Sequence, residues 1–135
     1  MGDKPPSLDS ALVNEFVLKA HGDIEVVKRL LEQEPELLNA AWDWGGGDWE
    51  TALGAASHVG HREIALFLLE QGARMDVFAA AMLGETDVVR AMLAAQPSLR
   101  DSLGPHGIPL VAHAEKGGDH AGEVLELLER RAATV

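Results

Sequence analysis

The sequence predicts an all-α fold, a solenoid of stacked helix-turn-helix repeats whose connecting fingers are irregular or reduced. Three observations lead there. A hinge glycine is followed eight and nine residues later by an apolar pair: Gly22 by Leu30-Leu31, Gly60 by Leu68-Leu69, Gly84 by Met92-Leu93. An unrelated helical bundle has no reason to hold that offset three times. Between hinge and pair the apolar residues fall at helical spacing, as in Ile64, Phe67 and Leu68. Aromatic residues make up only 4% of the chain while Ala and Leu are plentiful, which suits helix pairs packed closely together. A single such pair cannot bury its own apolar face, and stacking against neighbours does so.

The elements follow in order. Residues 1–10 read as a flexible tail carrying Pro5 and Pro6, with Asp9 or Ser10 placed to cap a helix that runs to Ala20. Phe16 and Ala20, four apart, face the next helix, and Asn14, Glu15 and Lys19 face outward. The second helix begins after Gly22. An enlarged connection, Asn39 to Glu50, precedes a pair of short helices hinged at Gly60 and stopped at Gly72. Met75-Asp76 then runs straight into Val77-Phe78-Ala79-Ala80-Ala81, which leaves no room for a projecting finger, and Phe78 and Met82 read as core. Leu103 to Gly107 forms the next connection, with Pro109 in the first turn of the following helix. A looser fourth copy runs from Gly118 to Val124, Leu125, Leu127 and Leu128, and Glu123, Glu126, Glu129, Arg130 and Arg131 give it a polar face. The expectation is one domain over residues 11–135, complete at both ends, with repeats near 11–41, 42–76, 77–103 and 104–135.

The stretch from Thr51 to Asp76 resembles an ankyrin repeat. Thr51, Leu53, Ala56, Gly60, His61, Leu68, Leu69, Gly72 and Ala73 match that family's pattern, while Ala52 and Gly54 stand where it has Pro and His. The apolar pairs at Leu30, Leu68, Met92 and Leu127 are 38, 24 and 35 residues apart, against a family period of about 33. The chain therefore looks like a divergent array with one finger enlarged and one deleted. The resemblance implies a non-enzymatic protein–protein interaction module that uses concave helix faces and loop tips. It also implies that His61, after its hinge, bonds backbone between repeats.

Charge and composition exclude other classes. The net charge is −11 without a basic stripe, so phosphate backbones are repelled and no nucleic-acid partner is expected. No run approaches the roughly eighteen apolar residues of a membrane span, and the first residues lack the apolar core of a signal peptide. Cysteine is absent, which removes disulfides and thiol chemistry. The expectation is a cytoplasmic monomer.

The strongest local anomaly is the connection Trp42-Asp43-Trp44-Gly45-Gly46-Gly47-Asp48-Trp49-Glu50, which holds all three tryptophans. Six acids and no Lys or Arg fall between Glu32 and His61. The three glycines permit positive φ and a tight reversal. Trp is enriched at binding hot spots, and carboxylates beside indoles suit a partner with a basic surface. The candidate binding residues are Trp42, Asp43, Trp44, Asp48 and Trp49, with Glu50 at the rim. The alternative is a small ligand or carbohydrate stacked on the same indoles. A structural reading also holds, in which one ring plugs the irregular junction and another is presented. His21, His58, His61, His106, His113 and His120 are ligand types for zinc, but their spacing is not diagnostic, and no metal or cofactor is expected. Ser57 beside His58 makes no nucleophile–base pair, since adjacent helical side chains diverge, and Gly45-Gly46-Gly47 lacks the Lys and helix start of a phosphate loop. Asp43 and Asp48 are available as an acid–base pair, as in any acidic loop, and no catalytic constellation emerges.

Overall fold

A computed structural model describes residues 4–133. Among these the chain is mostly helical, with α1 (Ser10–Lys19), α2 (Ile24–Gln33), α3 (Ala52–Val59), α4 (Arg62–Glu70), α5 (Val77–Leu83), α6 (Thr86–Ala95), α7 (Leu110–Lys116) and α8 (Gly122–Ala133). One two-stranded antiparallel sheet joins β1 (Ala41–Asp43) to β2 (Trp49–Thr51), in the register Ala41 with Thr51, Trp42 with Glu50 and Asp43 with Trp49. The enlarged connection is thus a β-hairpin rather than an open loop. No helix of the described residues is long and apolar enough to cross a membrane.

The helices pack as consecutive pairs, α1 on α2, α3 on α4, α5 on α6 and α7 on α8. Within this set α1, α3, α5 and α7 form an inner row, each against the next. Local chemistry starts the helices where the sequence suggests. Asp9, Asp23, Thr51 and Asp76 each accept a backbone N–H of the first turn. His61 does the same for α4, its Nδ1 accepting from Ile64 N at 3.2 Å, so it caps its own helix, and among the described residues its side chain makes no hydrogen bond to another helix pair. Pro109 sits just before α7, one residue earlier than its expected place in the first turn. Ser10 already belongs to α1 and Leu8 packs against the core, while Met1, Gly2 and Asp3 lie outside the described residues, as does the side chain of Arg131.

Two apolar clusters make the core, and α5 lies between them. Ala79, Met82 and Leu83 join the cluster built from α1–α4, while Val77, Ala80 and Ala81 join the one built from α6–α8. Phe78 is half-buried against the second cluster. The small residues of α3 and α5 let their neighbours approach closely. As a result α3 touches α7 as well as α5, a contact that skips one pair.

Candidate functional site

The hairpin is built by its own acids and glycines. Asp43 Oδ1 accepts from Gly45 N at 2.8 Å and Gly47 N at 3.0 Å, and Gly45, Gly46 and Gly47 all adopt positive φ, as the reversal requires. Strand alternation then divides the side chains. Glu50 and its register partner Trp42 share one face of the ribbon, Trp49 and Asp43 the other. Trp42 is half-buried against the core, whereas Trp49 is 59% exposed. A groove of about 310 Å³ lies between the hairpin and the start of α1, lined by Leu8, Val13, Trp42 and Trp49 among others.

Beneath the hairpin, Glu50 is driven inward to 1% exposure. Three imidazoles from different parts of the chain meet its carboxylate. His21 follows α1, where the last carbonyls of a helix lack intrahelical partners. Its Nδ1 donates to Val17 O at 3.1 Å and Leu18 O at 2.9 Å, which leaves Nε2 facing Glu50. His58 lies in the last turn of α3. His106 sits at φ 62 in the turn before α7, and its backbone N–H and Nδ1 both donate to Asp48, at 2.8 and 2.7 Å. Trp44 donates its indole N–H to Glu50 Oε1 at 2.9 Å.

The four donor groups converge. His21 Nε2 is 3.4 Å from Glu50 Oε1, His58 Nε2 is 3.0 Å from Oε2, and His106 Nε2 is 3.3 Å from Oε2. His21 Nε2 and His58 Nε2 are 3.1 Å apart. One atom from each of the four residues fits within a span of 4.8 Å. The rings of His21, His58 and His106 meet edge to face, and the Trp44 indole lies against His21 and His106. Burial alone would push the Glu50 carboxyl up, but the hydrogen bond from His21, the His58 imidazole beside Oε2, the His21 charge and the Trp44 N–H outweigh it and hold the carboxyl at about 2. The same hydrogen bond from His21 to Glu50 raises the His21 imidazole above its ordinary value against the effect of its burial.

The six residues singled out in the sequence therefore divide. Asp43 shapes the turn, Asp48 orients His106, Glu50 lies in the inner cluster, Trp44 bonds Glu50 while remaining 36% exposed, and Trp49 with part of Trp42 also faces solvent. His21, His58 and His106 are the functional candidates that sequence spacing left dispersed. A faint signal was present, since His21 and His58 stand one and two residues before the glycines Gly22 and Gly60. The chain matches no protein-family model and no curated protein.

Proposed function

We propose that the chain is a divergent, ankyrin-like array of four repeats that works as a protein-binding module, with the outer side of the hairpin as its contact element. The observation that carries this is Trp49, an indole 59% exposed at the edge of an apolar groove on a structured hairpin. A large rigid aromatic held out by a short sheet presents contact area at little entropic cost. The consecutive helix pairs and their recurrent hinge-to-apolar offset support the array. The net charge of −11 favours a partner with a basic surface. The carbohydrate alternative is weaker, because Asp43 and Asp48 spend their carboxylate oxygens on Gly45, Gly47 and His106.

The test is photo-crosslinking in a lysate of the source cells. A photoreactive residue replaces Trp49 in one sample and Leu66, 44% exposed on α4, in another. A discrete protein adduct from position 49 and none from position 66 is expected. Equal labelling from both positions would refute a contact element at the hairpin. In parallel, Trp49→Ala changes folding stability by less than about 0.5 kcal/mol, as for surface positions. It weakens binding to the adduct partner by roughly 2 kcal/mol, as for an aromatic hot spot.

A further inference from the structure

We propose that His21, Glu50, His58 and His106 form a binding site for one divalent transition-metal ion, zinc first, through three imidazole Nε2 atoms and Glu50 Oε2.

The distances have the form of a coordination polyhedron. Metal–nitrogen bonds of about 2.0 Å at tetrahedral angles set neighbouring ligand atoms about 3.3 Å apart. Three separations within this set are 3.0, 3.1 and 3.3 Å, and one atom from each of the four residues fits within 4.8 Å. The alignment is wrong for hydrogen bonding alone. Glu50 Oε2 is buried within 3.3 Å of two imidazole nitrogens, yet among the described residues neither meets it in hydrogen-bonding geometry. A buried carboxylate oxygen left in that state is expensive, and a cation in contact with it removes the penalty. Oε1, by contrast, already holds the Trp44 N–H. The two oxygens are thus assigned different tasks, Oε2 to the ion and Oε1 to a supporting donor.

The supporting contacts are those a metal site needs. A ligating imidazole usually donates its other N–H to a carboxylate or a backbone carbonyl, which fixes the tautomer and aims the free nitrogen. His106 does this with Asp48 and His21 with Val17 and Leu18. Three imidazole nitrogens crowded around one carboxylate also require positive charge among them. A single divalent ion supplies it to all four ligands at once. Three nitrogens with one oxygen suit zinc and its neighbours in the first transition row, and do not suit magnesium or calcium, which take oxygen ligands. Access is available, since Glu50 forms the floor while the His58, His21 and His106 side chains are 12, 26 and 32% exposed.

The full chain is stripped with chelator and titrated separately with Zn²⁺ and Co²⁺ by calorimetry, visible absorption and thermal melting. One ion per chain, visible Co²⁺ bands of low-symmetry type and a higher Tm with Zn²⁺ are expected. His58→Ala and His106→Ala each reduce affinity at least tenfold, and His120→Ala, exposed and outside the cluster, does not. Asp48→Asn, a change in a positioning residue, weakens binding about 10–100-fold while leaving one ion per chain. Glu50→Gln removes binding; since that variant also perturbs a buried position, the His106→Ala result decides if it fails to fold. Binding that does not saturate at one equivalent, or that survives both His58→Ala and His106→Ala, overturns the assignment.

Discussion

His113 lies fully buried in the inner row, its Nδ1 donating to Pro109 O at 3.0 Å and its ring against that of Phe78 with centroids 4.7 Å apart. Nε2 is buried without a hydrogen-bond partner, so a second proton there would have no acceptor. Burial pushes the imidazole below its ordinary value, and the Pro109 carbonyl and the Asp76 charge only partly oppose this. The sign follows from linkage. Below about pH 6.5 the unfolded chain takes up a proton on this residue that the folded chain refuses. Stability is therefore lost as the pH falls from about 6.5 toward the lower folded-state value. His21 has the opposite sign, since its raised value adds stability at low pH that is lost as the pH rises through it. The two are separated by difference. Urea unfolding of the wild type and His113→Gln across neutral to mildly acidic pH should give a gap that changes with pH, the wild type losing more on acidification. A gap independent of pH would mean that His113 does not titrate between the two states.

The hinge glycines Gly60 and Gly84 and the turn glycine Gly46 share a positive φ, but Gly84 and Gly46 differ in what surrounds them. Gly84 closes α5 at φ 80, where Gly84 N bonds Ala81 O and Glu85 N bonds Ala80 O, the pairing of a left-handed helix stop. A Cβ at Gly84 would collide with the carbonyl of His120. Gly46, at φ 64 in the hairpin turn, would meet nothing within 4 Å. Gly46→Ala therefore costs about 1–2 kcal/mol of backbone strain. Gly84→Ala adds displacement of a neighbouring main chain to the same strain, and should exceed Gly46→Ala by at least about 1 kcal/mol in urea melts. Equal losses would show that the α5 stop tolerates a side chain. This contrast also marks what was legible beforehand. The Gly84 stop and its apolar pair could be read because they are local, spaced by one helix. The strands of the hairpin could not, because Trp42, Asp43, Trp49 and Glu50 reveal no alternation until the three glycines fix the register. Glu50 then turns inward while its neighbour Trp49 turns out, which placed one of the six candidates in the core.

Across the whole molecule, the departures from regular spacing have a structural consequence. The link between α4 and α5 carries no hairpin, and the turn before α7 comes to lie against the hairpin that precedes α3, where His106 reaches Asp48 across 58 residues. Pro105 lies beside Gly54 of α3, and α3 touches α7. Such a convergence rests on the short link from α4 to α5 and the long one from α2 to α3, and no sequence spacing displays it. It also changes the cooperativity expected of the fold. In a nearest-neighbour array each repeat is stabilised only by those beside it, so terminal pairs open first. Here α5 is shared between both apolar clusters and the fourth pair holds the second directly. Removing α7 together with the turn before it would strip contacts from α5, α3 and the hairpin together. The chain should therefore unfold in one transition, with tryptophan emission reporting the hairpin and far-ultraviolet circular dichroism reporting the helices at the same urea midpoint. Amide exchange should give α7 and α3 similar opening energies. A separate early transition in which α7 and α8 exchange while the hairpin emission is unchanged would show that the cross-contact does not couple the two ends, and that the fold behaves as a chain of independent neighbours.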